Sequence, residues 1–219
     1  MTVKKMKTIY CISGLGADEK VFSKLIIPGY ELKAIQWLQP LPKETLQEYA
    51  LRMRQNITEP DPILLGLSFG GIMSAEIAKQ IRVKKIIIVS SIKHSGELPF
   101  WMRAVAKLSL HKIVPLRSTK LTAPLQNRQL GAITPEDKKL AAYYRKKANI
   151  IYTKWAVNEV LTWKNKKPFP DIFHIHGTKD KMFPIKYITA DRIIKDGGHF
   201  MIMNKADEVS ACINDALAQ

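Results

Sequence analysis

Cysteine is nearly absent from this chain of 219 residues: Cys11 and Cys212, near opposite ends, are its only two. Two such thiols do not make a disulfide framework, so a reducing, cytoplasmic home is the expectation. Long hydrophobic runs are missing too. None comes near the ~18 apolar residues of a membrane-spanning helix, so no transmembrane segment is expected. The opening "MTVKKMKTIYCISGLG" carries lysines, but its apolar run is short and no small-residue cleavage site follows. It reads as a first strand rather than a signal peptide. Internal repeats and low-complexity tracts are also lacking. With 46% hydrophobic and 25% charged residues, the composition suits one globular domain over residues 1–219.

Acidic residues are the other shortage: 19 Asp and Glu face 35 Lys and Arg, a net charge of +16. The imbalance is local. Residues 92–170 hold 16 basic against 4 acidic side chains, and the rest of the chain holds 19 against 15. Such a segment is either a solubilising face or a surface that meets an anionic partner or substrate. It contains no nucleic-acid-binding motif, so specific nucleic-acid binding is not expected.

Outside that segment the hydrophobic pattern alternates between two periods. "KTIYCIS", "YELKAIQWL", "DPILLGL" and "VKKIIIVSS" read as strands, the last two apolar throughout. Between them, "ADEKVFSKLI", "KETLQEYALRMRQNI" and "FGGIMSAEIAKQIR" have helical spacing. Near-continuous apolar strands alternating with helices predict an α/β fold with a parallel sheet covered on both faces. The alternation stops over residues 92–170. There "LPFWMRAVAKLSLHKIV" and "TPEDKKLAAYYRKKANIIYTKWAVNEVLTW" are helical, and Pro115, Pro124, Pro168 and Pro170 punctuate the region. It resumes with strands in "DIFHIHG" and "YITADRII" and a last helix in "KADEVSACINDALA". The segment 92–170 is therefore a helical insertion after the fourth strand, either a cap over the strand ends or a separate face. Phe100, Trp101, Trp155 and Trp163 are candidates to line a pocket beneath it, or plain core.

The strand-to-helix junction "GLSFGG" carries the chemistry. Strand, Gly66-Leu67-Ser68-Phe69-Gly70, then helix is the setting in which G-x-S-x-G forms a nucleophile elbow. The turn is so sharp that the residues two before and two after the serine must be small, and the hydroxyl stands exposed at its tip. The competing reading makes Ser68 a helix N-cap.

A serine nucleophile needs a base, and five histidines are present. His94 and His111 lie in the basic segment. His174 and His176 share one face of a strand and, with Asp180, form an H-x-H-x-x-x-D pattern. No further His or Cys completes a ligand set, so a metal site is not expected. His199 follows the turn "KDGG", whose glycines let an imidazole swing over the sheet edge, and it is the candidate base. Asp180, in "HGTKD" at another strand's carboxyl end, is the candidate orienting carboxylate. For the oxyanion, the candidate donors are the backbone N–H groups of Phe69, next to the nucleophile, and of Leu15, in the loop "SGLGAD". That loop has Glu19 where a dinucleotide-binding loop needs a third glycine.

Together, "GLG", "GLSFGG", "HGTKD" and "GGHF" resemble the α/β-hydrolase family along essentially the whole chain. The resemblance implies a mostly parallel sheet, a catalytic triad of Ser68, Asp180 and His199, and no cofactor. It also implies hydrolysis of a small-molecule ester, thioester or amide. Two departures stand out. Many members open with an extra hairpin, for which this chain has only six residues before its first strand, and this implies a shortened sheet. Many also have His-Gly where this chain has Ser13-Gly14. The expected function is a serine hydrolase acting on a carboxylic ester or thioester through an acyl-enzyme, with anionic substrates favoured. The alternative is a hydrolase scaffold that binds a ligand and turns little over.

Overall fold

The computed structural model describes residues 6–112 and 122–219. Six strands form one sheet: β1 (Lys7–Ile12), β2 (Tyr30–Ile35), β3 (Ile63–Leu67), β4 (Lys85–Val89), β5 (Ile172–Gly177) and β6 (Arg192–Ile194). Their order is β2-β1-β3-β4-β5-β6, and every pairing is parallel. Helices α1 (Leu46–Met53) and α2 (Phe69–Ala78) join the early strands. Helices α3 (Phe100–Lys107), α4 (Ala123–Leu130), α5 (Pro135–Lys147) and α6 (Ile150–Thr162) fill the stretch between β4 and β5. Helices α7 (Met201–Asn204) and α8 (Ala206–Ala218) close the chain.

Both faces of the sheet are buried, which is why β3 and β4 lack an apolar–polar alternation. Ile9, Cys11, Leu65, Ile87 and Phe173 pack with Val209, Ile213 and Ala216 of α8. The intervening residues Tyr10, Ile12, Leu64, Ile86 and Ile88 pack with α1 and α2. The period of two along each strand divides the core into these layers.

The chain leaves β1 toward β2 on one side and leaves β3 toward β4 on the other. The carboxyl ends of β1 and β3 therefore flank a switch point, where open parallel sheets leave a crevice. Both glycine-bearing loops singled out in the sequence, after β1 and after β3, open there.

Several local expectations change. "ADEKVFSKLI" forms only a 3₁₀ turn, Glu19–Phe22, and Ile26 is exposed. Pro28 disfavours helical backbone at the residue before it, so the short stretch cannot extend. The strand expected in "YITADRII" shrinks to Arg192–Ile194. The long pattern over 134–163 is two helices, because Asn149 accepts the N–H groups of Ile151 and Tyr152 and so starts α6 afresh. The helix expected over 98–114 spans Phe100–Lys107, followed by a 3₁₀ turn at Leu110–Lys112. The end of that stretch and Pro115 lie outside the described residues, as do residues 1–5 of the first segment. Among the described residues no helix is long and apolar enough to cross a membrane.

Candidate active site

Ser68 sits between β3 and α2 with φ 54° and ψ −117°, a backbone that residues with a Cβ avoid. Its surroundings leave little alternative. The Ser68 N–H donates to the Val89 carbonyl at 2.9 Å, continuing the sheet past the end of β3. The Ser68 carbonyl accepts from Gly71 N–H at 2.9 Å and from the Ser91 hydroxyl at 2.7 Å. A Cβ on Gly66 would strike the Gly70 carbonyl oxygen, and one on Gly70 would strike the Ile12 carbonyl oxygen. The two glycines are therefore required by close approach of backbone to backbone. Ser68 makes no capping bond to α2. Its Oγ lies 2.9 Å from His199 Nε2.

His199 reaches that point from the loop after β6, which is tied to the loop bearing Asp180 by Lys179 N–H donating to the Gly197 carbonyl at 2.8 Å. His199 Nδ1 lies 2.8 Å from Asp180 Oδ2. A carboxylate only accepts, so Nδ1 carries the hydrogen, and the lone pair on Nε2 faces the Ser68 hydroxyl. Asp180 is buried, and its other oxygen accepts the N–H groups of Met182 at 2.8 Å and Phe183 at 2.9 Å. Burial pushes this carboxyl's pKa up. The neighbouring His199, the nearby His176 and the Phe183 N–H more than offset that, and Asp180 ends below its ordinary value.

His174 and His176 form a buried pair behind Asp180. His176 Nε2 donates to the Phe183 carbonyl at 2.8 Å, which leaves Nδ1 to accept from His174 Nε2 at 3.1 Å. Burial holds both imidazoles below the ordinary histidine pKa, so both are neutral. His176 Nε2 is also 3.7 Å from Asp180 Oδ2. The H-x-H-x-x-x-D pattern is thus a hydrogen-bonded support for the Asp180 turn. His94 caps a 3₁₀ turn through Gly96 N–H, and His111 contacts Asn158 at 3.1 Å; neither joins Ser68.

The two candidate oxyanion residues flank Ser68. Phe69 opens α2, so its N–H is one of the first four that lack an intrahelical acceptor. Leu15 lies in the loop after β1, where a Cβ on Gly14 would sit 3.5 Å from Ser68 Cβ. Sequence reasoning missed what holds that loop. The Trp37 indole N–H donates to Ser13 Oγ at 2.9 Å and to the Gly14 carbonyl at 3.2 Å, while its ring stacks on Phe69. Ser91, at the end of β4, was also missed, and the pair "SS" closing that strand was its only sequence signal.

Ser68, His199 and Leu15 open into a cavity of about 760 Å³. Its other walls come from α4, α5 and α6, including Leu130, Arg145, Lys146, Ile150 and Val157. Of the four aromatic residues that are candidates for its lining or for plain core, none lines it, and Trp155 and Trp163 belong with the core. Trp155 packs on Tyr49 with ring centres 4.3 Å apart, and Trp163 is buried against Glu76 at 2.7 Å. Phe100 and Trp101 are exposed, because α3 turns Met102 inward instead.

No protein-family model matches the chain, and no curated protein matches it in sequence. Solved structures do. A thermophilic esterase from Thermogutta terrifontis with malate bound is 16% identical at a TM-score of 0.68, covering 97% of this chain and 89% of its own. A bromoperoxidase from Bacillus anthracis is 15% identical at a TM-score of 0.68, with coverage of 98% and 92%. An epoxide hydrolase from Bacillus megaterium is 14% identical at 0.67, with 97% and 94%. All are α/β-hydrolases. The chain has the α/β-hydrolase fold. Within that fold the sheet is short, with six strands and no antiparallel hairpin among the described residues. The three side chains of the hydrogen-bonded trio all emerge at the carboxyl edge of this α/β-hydrolase sheet.

Proposed function

We propose that this protein is a serine hydrolase that cleaves a small-molecule carboxylic ester or thioester through an acyl-enzyme at Ser68. The observation that carries the reading is the unbroken chain from Ser68 Oγ to His199 to Asp180, both links under 3 Å, with Ser68 strained at the mouth of a cavity. In this reading the trio is a catalytic triad and the turn around Ser68 a nucleophile elbow. His199 Nε2 takes the hydroxyl proton as Oγ attacks the acyl carbon. The Phe69 and Leu15 N–H groups receive the developing oxyanion. His199 then returns the proton to the departing alcohol or thiol, and water, deprotonated by the same nitrogen, releases the acid. Asp180 stays ionised throughout and stabilises the imidazolium.

The helical segment 92–170 acts as a cap, since its α4, α5 and α6 wall the cavity that holds Ser68. Its excess of positive charge favours anionic substrates. The mechanism calls for no cofactor, and the two free cysteines suit a cytoplasmic setting. A fluorophosphonate probe tests the reading. The expected result is one covalent adduct on Ser68 by mass spectrometry, slowed in His199→Ala. An unlabelled Ser68, or an adduct on another side chain, would overturn it.

A further inference from the structure

Helix α5 carries three cations in a row, Arg145, Lys146 and Lys147, and they are placed differently. Lys147 is paired with Asp18 at 3.2 Å, a carboxylate that Tyr144 also holds through its hydroxyl at 3.0 Å. Arg145 and Lys146 line the cavity itself, and among the described residues no acidic side chain lines it with them. Among the described residues neither has a carboxylate within ion-pair distance. The remaining residues, 1–5 and 113–121, contain no Asp or Glu that could supply one. Arg145 is half-buried, and one of its terminal nitrogens donates to Asn127 Oδ1 at 2.7 Å, which fixes the plane of the guanidinium. Burial holds its pKa below the ordinary arginine value, as expected of a charge short of both water and counter-ion.

A partly desolvated guanidinium without an anion carries a cost, and a planar fork held by a neutral amide keeps its other N–H groups for a bidentate acceptor. We infer that the cavity takes esters whose far end carries a carboxylate, and that Arg145 is the specificity-determining residue that receives it. The inference rests on the hydrolase reading and deepens it. The acyl carbon lies at Ser68 and the carboxylate at α5, across one cavity that both residues line. Lys146, more exposed, adds a point charge beside the fork.

Mono-4-nitrophenyl glutarate and its primary-amide isostere differ only in the distal group. The wild-type enzyme should favour the acid by roughly ten- to a hundred-fold in kcat/KM, mostly through KM, as suits a charge-assisted hydrogen bond. Arg145→Gln should remove most of that ratio, and Arg145→Lys, which keeps charge without the fork, should keep part of it. Lys154→Gln, an exposed change on α6 that does not line the cavity, should leave the ratio unchanged. The inference falls if Arg145→Gln keeps the ratio, or if Lys154→Gln lowers it equally. Thermal melts of each variant separate misfolding from lost recognition. Should the wild type hydrolyse neither ester, binding of monomethyl glutarate and methyl glutaramate to Ser68→Ala, with and without Arg145→Gln, decides. Tighter binding of the acid that Arg145→Gln abolishes would sustain the carboxylate site while the hydrolase reading fails. Equal binding of the two would overturn the site itself.

Discussion

The Trp37 ring stacks on Phe69 with centres 5.1 Å apart and planes 13° from parallel, while its indole N–H reaches Ser13 and Gly14 in the other loop. One side chain thus ties together the two backbone segments whose N–H groups are proposed to meet the oxyanion. Trp37→Phe keeps an aromatic ring against Phe69 and deletes the donor together with half of the indole. We expect kcat to fall on the order of ten-fold with KM nearly unchanged, because a loosened donor is felt in the transition state. Steady-state kinetics on a 4-nitrophenyl ester measure it. A change confined to KM would show that the loop serves binding alone.

Ser68→Ala and His199→Ala should each lower turnover by several orders of magnitude, and the double variant should be little worse than either, since the trio acts as a unit. Asp180→Asn should be severe but milder. Additive losses in the double variant would remove His199 as the base.

The His174–His176 pair sets an acid limit on stability. Both folded-state pKa values lie below the unfolded value, so below about pH 6.5 the unfolded chain binds protons that the native one refuses. The contribution of this pair should be constant above that pH and fall below it, with a limiting slope of about 2.7 kcal/mol per pH unit for two protons. Asp180 acts lower: its stabilisation is present above the ordinary carboxylate range and is lost as pH falls through its depressed value. Urea denaturation at a series of pH values reads both windows. His174→Gln should roughly halve the upper slope, and an unaltered slope would place the protons elsewhere.

Trp163→Phe should destabilise the fold by about 1.5–3 kcal/mol, the range for a hydrogen bond to a charged group. The indole N–H donates to Glu76 at 2.7 Å, and Glu76 is fully buried with Lys79 as its ion-pair partner. Chemical denaturation provides the number. A loss under 0.5 kcal/mol, roughly the surface-substitution range, would mean that the Trp163 bond adds nothing beyond the Lys79 ion pair on the same oxygen.

Salt should separate recognition by the basic cavity wall from chemistry at Ser68. For an ester with a distal carboxylate, kcat/KM should fall steeply with ionic strength as the Debye length shrinks to about 8 Å and below. A neutral ester of the same chain should barely respond. Parallel responses would assign the charge of the segment 92–170 to solubility.

Much of this molecule is written in local pattern. The runs Ile63–Leu67 and Lys85–Val89 are strands whose two faces are both covered, and their lack of apolar–polar alternation, between helical segments, argues for a parallel sheet. The sequence likewise determined which residues could stand close: Gly66 and Gly70 leave no side chain where two backbones meet, and Asp180 and His199 each follow a strand. Contacts between distant segments left no such mark. Trp37 on Gly14, Ser91 on the Ser68 carbonyl and Arg145 on Asn127 all join residues far apart in the chain, which only chain packing brings together. Helical spacing shows that Phe100, Trp101 and Leu108 share a face but not whether that face turns inward. Tertiary structure decided it by burying Met102 and leaving Phe100 and Leu108 63% and 66% exposed. A helix's pattern fixes its stripe, whereas the partner it packs against fixes which way the stripe points.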